Sequence, residues 1–186
     1  NMHSGTFGDI GILSFNGNKI ITTGGGGMIL TDDEKKATRA RHLTTTARIE
    51  DGWNFDHDEV GFNYRLPNLN ASLGLAQLKK LPSFVEEKRK IASCYQQWGK
   101  ENGFEFIEET KNTESNYWLN TLISRDINER DQLLKETNEA LVMTRPAWKP
   151  MHMLSFNSQF QTDSLTNTQW LFDRIVNVPS SIRKNG

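Results

Sequence analysis

Residues 8–32, GDIGILSFNGNKIITTGGGGMILTD, decide how this chain is read. Residues 10–15 form an apolar run that ends in the polar elbow Asn16, Gly17, Asn18. Lys19 follows, then a short β-branched run at residues 20–23, four glycines, and a second apolar run at residues 28–30. Short apolar runs bounded by turn residues predict strands, so a lysine stands at a turn between two of them. An ammonium between apolar strands is costly to bury unless it is paired or gives up its proton. A desolvated amine of that kind is a Schiff-base nucleophile. The plain alternative is a hairpin turn with a solvated lysine at its tip. The glycines do not make a P-loop, which needs them before a Lys-Ser/Thr pair that opens a helix. Here they follow the lysine and lead into a strand, which predicts a tight turn or a close backbone approach.

A second informative cluster is GFNYR at residues 61–65, followed by LPNLNA and then Leu73, Leu75, Ala76 and Leu78. The later part predicts an amphipathic helix capped near Asn68. The cluster sets an amide, a phenol and a guanidinium together before that helix. Such a set suits a grip on a phosphate or carboxylate, or equally an N-cap with an exposed arginine.

Together the two blocks resemble the DegT/DnrJ/StrS nucleotide-sugar aminotransferases, a group of fold-type I pyridoxal-phosphate (PLP) enzymes. The first block carries the likeness in Gly8, Asp9, Ser14, Phe15, Lys19, Thr22, Thr23, Gly24, Gly26, Gly27 and Met28. The second carries it across residues 61–77, with Phe62 where the family has tyrosine. The resemblance implies an α/β fold, the C-terminal part of a fold-type I PLP-dependent transferase. Residues 1–80 would complete the large PLP-binding domain, and residues 81–186 would form a small C-terminal domain. It implies that Lys19 carries PLP covalently and that Ser14 hydrogen-bonds the cofactor phosphate. Asn63 would reach the phosphate of a neighbouring subunit, which implies a homodimer with shared active sites. Arg65, Arg145 and His152 are candidate substrate-side residues; ordering of its own segment is the alternative for Arg65, and a plain loop for the other two.

The wording of both blocks is similar to the branch that aminates UDP-linked 4-keto-6-deoxy-N-acetyl sugars for bacterial surface glycans. That implies a nucleotide-linked keto sugar as acceptor and glutamate as the usual amino donor. In such enzymes the Schiff-base lysine lies past the midpoint of a longer chain, so this chain is expected to be a C-terminal half, inactive alone. The upstream half would supply the ring-stacking aromatic residue, phosphate-binding amides and the Asp that pairs with the pyridine nitrogen. A non-catalytic or regulatory homologue that dimerises without turnover is the alternative reading; keeping Lys19 beside Ser14 argues against it.

Composition sets the outer bounds. The 186 residues have a formal net charge of -1, which gives no nucleic-acid footprint and no electrostatic pull to a membrane. No apolar run approaches the roughly 20 residues that span a bilayer. Cys94 is the only cysteine, so no intrachain disulfide or cysteine-metal cluster is expected, and a packed place on a helix is. A cytoplasmic location fits, and no metal site is expected.

Along the rest of the chain, Asp32, Asp33 and Glu34 predict a helix start, running to about Leu43 with Ala37, Ala40 and Leu43 on one face. Its Lys35, Lys36, Arg39 and Arg41 read as a solvated cationic stripe. Residues 44–59 read as irregular. Leu81 and Pro82 read as a helix break, followed by a long helix over residues 84–101 anchored by Phe84, Ile91, Tyr95 and Trp98. Strands are expected at residues 104–107, 117–124, 141–144 and 176–179, and helices at residues 128–140 and 170–175. The proline-rich residues 145–152 are expected to continue neither kind of element.

Overall fold

A computed structural model of the chain describes residues 2–182. The chain divides into two compact units, one through Leu81 and one from Pro82.

In the first unit, strands β1 (Gly11–Ser14) and β2 (Gly27–Leu30) pair antiparallel as a ribbon, with Ser14 opposite Gly27. Helix α1 (Glu34–Thr44) starts on an Asp33 cap. The Asp33 carboxylate accepts from the Lys35 and Lys36 amides at 2.8 and 3.1 Å, and these bonds hold its carboxyl below the usual range. Residues 44–59 are not irregular throughout. Strands β3 (Arg48–Asp51) and β4 (Asn54–His57) form a hairpin, turned at Gly52 with φ of 52°. All eight strand residues are exposed, so no face needed an apolar pattern that the sequence could have displayed. Helix α2 (Asn68–Leu78) follows Pro67, and Asn68 is its first helical residue rather than its cap. Leu69, Leu73, Leu75 and Leu78 of this helix are exposed.

Helix α3 (Leu81–Asn102) starts at the boundary, and all of it but Leu81 belongs to the second unit. Pro82 lies in its first turn, where the missing N–H costs nothing, so this proline starts a helix. Strands β5 (Glu105–Phe106), β6 (Asn120–Ile123), β7 (Arg145–Pro146) and β8 (Ile175–Val178) form an antiparallel sheet in the order β5-β6-β8-β7. Helices α4 (Ile127–Glu139) and α5 (Thr166–Phe172) complete it. The register aligns Phe106, Leu122 and Val176 in one row. Those three are buried together, with Tyr95 of α3 and Leu133 and Leu134 of α4 packed against them.

Two expectations fail here. Residues 141–144 are not a strand: they finish α4, with Leu141 left-handed at φ 62° and the Val142 amide donating to Thr137 O at 2.8 Å. The strand lies just beyond, where Arg145 and Pro146 pair with Asn177 and Val176. Pro146 is tolerated because β7 is an edge strand. Cys94 is on α3 as expected but exposed, not packed. Lys88 is the reverse case, a lysine only 7% exposed on α3. Its ammonium donates to Trp118 O (3.0 Å) and Ser180 O (2.7 Å), tying the helix to the segments flanking β6 and β8. Among the described residues, no helix is long and apolar enough to cross a membrane.

Candidate active site

Lys19 sits in a loop that its own neighbours close. The Phe15 carbonyl accepts from the Thr23 amide and the Thr22 hydroxyl, both at 3.0 Å, so residues 16–22 are cinched at the base. Within the loop the Lys19 amide donates to Asn16 O at 3.0 Å, making Asn16, Gly17, Asn18 and Lys19 a turn. Lys19 itself is half-buried. Ser14, at the end of β1, is exposed, and its Oγ accepts from the Asn16 amide at 3.4 Å. That bond leaves the hydroxyl proton of Ser14 to donate elsewhere.

The glycines serve close approach. Gly24 and Gly26 have φ of 80° and 112°, and a Cβ on Gly26 would lie 2.7 Å from Leu66 Cδ1. Thr23 is buried, its carbonyl takes a 2.6 Å bond from Asn70 Nδ2, and a Cβ on Gly74 would lie 2.7 Å from Thr23 Cγ2. The lysine loop therefore rests on the start of α2, and the two informative sequence blocks are joined.

Asn63 and Arg65, both exposed, lie on the segment that leads into α2. An isolated antiparallel bridge pairs Asn63 with Thr45, at the end of α1. Phe62 and Tyr64 stack with ring centroids 5.1 Å apart, so they share one side and Asn63 projects to the other. Sequence reading missed what braces this segment. Arg39 of α1 donates from Nη2 to Glu59 Oε2 at 2.6 Å and also pairs Nη1 with Oε1, while His42 Nε2 lies 2.7 Å from Asp58 Oδ1. The fork holds the Glu59 carboxyl below, and the Arg39 guanidinium above, its usual range. No local signal points to these pairs, because each spans 16 or 20 residues of sequence.

In the second unit, Arg145 is exposed on β7. His152 is half-buried in a single 3₁₀ turn, Met151–Met153, and lines an open cleft of about 540 Å³ with Phe160 and Asp163.

A primary amine on a braced loop and a hydroxyl with a proton to give suit a cofactor that carries an aldehyde and a phosphate. An amine can condense with an aldehyde, and a hydroxyl can donate to a phosphate.

The chain belongs to the DegT/DnrJ/EryC1/StrS aminotransferase family, whose family model matches residues 1–184. It is 43% identical over 150 residues to EpsN of Bacillus subtilis, assigned by name to the pyridoxal phosphate-dependent aminotransferases; the match covers 80% of this chain and 38% of the relative. It is 35% identical over 181 residues to GDP-perosamine synthase of Escherichia coli O157:H7, covering 95% and 48%. The aminotransferase TlmJ of Streptoalloteichus hindustanus superposes with a TM-score of 0.89 at 28% identity, covering 97% of this chain and 49% of that one. A Streptococcus pneumoniae sugar aminotransferase in its PLP-form matches in fold with a TM-score of 0.87 at 22% identity, covering 100% and 50%. The fold is thus the C-terminal half of a PLP-dependent sugar aminotransferase. The chain spans about half the length, or less, of the curated relatives it matches.

Proposed function

We propose that this chain is the lysine-bearing half of a PLP-dependent aminotransferase that moves an amino group, from glutamate, onto a nucleotide-linked 4-keto sugar for bacterial surface glycans. The observation that supports this reading is the cinched loop that carries Lys19, five residues after Ser14 at the end of β1. In support, the E. coli relative is named for a GDP-linked amino sugar, and a Campylobacter jejuni relative, 26% identical, is named as a UDP-linked amino-sugar transaminase. In this reading residues 1–80 belong to the large PLP-binding domain and residues 81–186 form the small domain. The enzyme works in the cytoplasm.

When bound, PLP supplies the electron sink that makes an amino-bearing carbon acidic. Lys19 holds the cofactor through Nζ. As a free amine, the same Nζ would carry the proton from the donor's Cα to the cofactor in one half and from the cofactor to the sugar carbon in the other. Ser14 donates to the cofactor phosphate. Asn63 reaches that phosphate from a neighbouring subunit, so the working unit is a homodimer with shared sites. Arg65, Arg145 and His152 face the substrate.

The test is borohydride reduction of the chain with PLP, followed by peptide mass mapping. A single pyridoxyl adduct on Lys19, lost in Lys19→Ala, is expected. Adducts scattered over many lysines, or none, would overturn the reading.

A further inference from the structure

We propose that Arg39 and His42 are positioning residues, clamping Glu59 and Asp58 so that Asn63 is held in register to grip a phosphate ester. This rests on the role given to Asn63 above.

The clamp is built at the C-terminal end of α1. Three backbone bonds dock the incoming segment there: Phe62 amide to Leu43 O (2.7 Å), Tyr64 amide to Thr44 O (3.1 Å) and Thr46 amide to Phe62 O (3.0 Å). The first two satisfy helix carbonyls that have no partner inside the helix, and the third returns a bond from the chain just past the helix to the segment. The direction from which the segment arrives is set by the two side-chain pairs. Arg39 engages both oxygens of Glu59, and His42 lies 2.7 Å from Asp58 Oδ1 and 3.6 Å from Glu59 Oε1. Only Val60 and Gly61 separate the clamp from residue 62. Gly61 offers no slack, because even a Cβ there would lie 2.3 Å from Thr46 C. A displacement at Glu59 is therefore passed on to Asn63.

The same cluster has a second chemistry to weigh. Ligand atoms of His42, Asp58 and Glu59 lie within 4.8 Å of one another, a spacing that could hold a metal ion. Arg39 already occupies both Glu59 oxygens, and a dication beside its guanidinium would be repelled. The cation of this cluster is the arginine.

The experiment compares equilibrium binding of PLP with that of pyridoxal, which lacks the phosphate. The wild-type chain is expected to prefer PLP. Arg39→Gln and Glu59→Gln should each cut that preference by roughly two- to fivefold, the size an exposed but forked ion pair supports. Hydrogen exchange at the Phe62 and Tyr64 amides should quicken in step. The swap Arg39→Glu with Glu59→Arg should restore part of both. A wild type with no preference for the phosphate overturns the proposal, and so do folded variants whose preference is unmoved. Borohydride trapping of pyridoxal at Lys19 needs no phosphate grip. Its failure would defeat the aminotransferase reading, whereas trapping with an unmoved preference would defeat only the clamp.

Discussion

Replacing Gly61 by alanine should destabilise the first unit, because the added methyl group has no room. The added Cβ would lie 2.3 Å from Thr46 C, 2.4 Å from Ala47 N and 2.8 Å from Thr46 Cα. All three are backbone atoms, so no side chain can swing away. Ordinary contact begins near 3.4 Å, so the backbone would have to retreat by roughly 1 Å. It has little freedom to do so. Thr46 and Ala47 are both left-handed, at φ of 67° and 51°, and Ala47 is fully buried. Retreat would also stretch the bonds from the Thr46 amide to Phe62 O (3.0 Å) and from the Asp58 amide to Ala47 O (3.3 Å). Overpacking of about 1–3 kcal/mol and about 1 kcal/mol for a weakened backbone bond give a loss of about 2–4 kcal/mol. The assay is a urea titration read by hydrogen exchange of peptides covering residues 58–66, which follows the first unit by itself. Gly17→Ala is the control, because nothing lies within 4 Å of a Cβ there. A Gly61→Ala chain within about 0.5 kcal/mol of wild type, the range of an ordinary surface change, would refute the close-approach argument.

Two further outcomes are expected in the second unit. Leu122→Ala removes the centre of the Phe106, Leu122, Val176 row and should cost about 2–4 kcal/mol in urea unfolding followed by tryptophan fluorescence. Burial holds the Lys88 ammonium below its ordinary value of 10.5, so the unfolded chain binds the proton more tightly than the folded one. Stability should then rise as pH climbs through the folded-state value toward 10.5, and Lys88→Met should flatten that rise in thermal melts taken from pH 7 to pH 10.5.

The elements legible in the sequence are those with a pattern imposed by burial or capping. Helix α1 announces itself through Asp33, and α3 through its spaced apolar residues, although its start at Leu81 was read as a break. Strand β6 has partial alternation because one of its faces carries Leu122 into the core. The β3–β4 hairpin was not legible, since strands exposed on both faces place no demand on residue type. Nor was β7, whose two residues owe their pairing to β8, roughly thirty positions further on. The turn that carries Lys19 was legible because Asn16, Gly17 and Asn18 stand together in one short stretch. The Arg39–Glu59 and His42–Asp58 pairs were not, because the sequence sets them 20 and 16 residues apart. An arginine on a charged helix face looks the same with or without a distant carboxylate to fork.

The strand order β5-β6-β8-β7 has a consequence for how the second unit comes into being. Of its four strands, β8 is the last to be synthesised, yet it lies inside the sheet, between β6 and β7. Until Ile175–Val178 emerges, β7 has no neighbour to pair with, and β5 and β6 can make only a two-stranded pair, marginal by itself. Val176, the member of the buried row with the least exposure, arrives with the same strand. Cooperative closure of this sheet therefore waits for Ile175–Val178 to leave the ribosome. A synthesis stalled before Ile175 would yield a species with paired helices and open strand edges, the kind that proteases and chaperones remove.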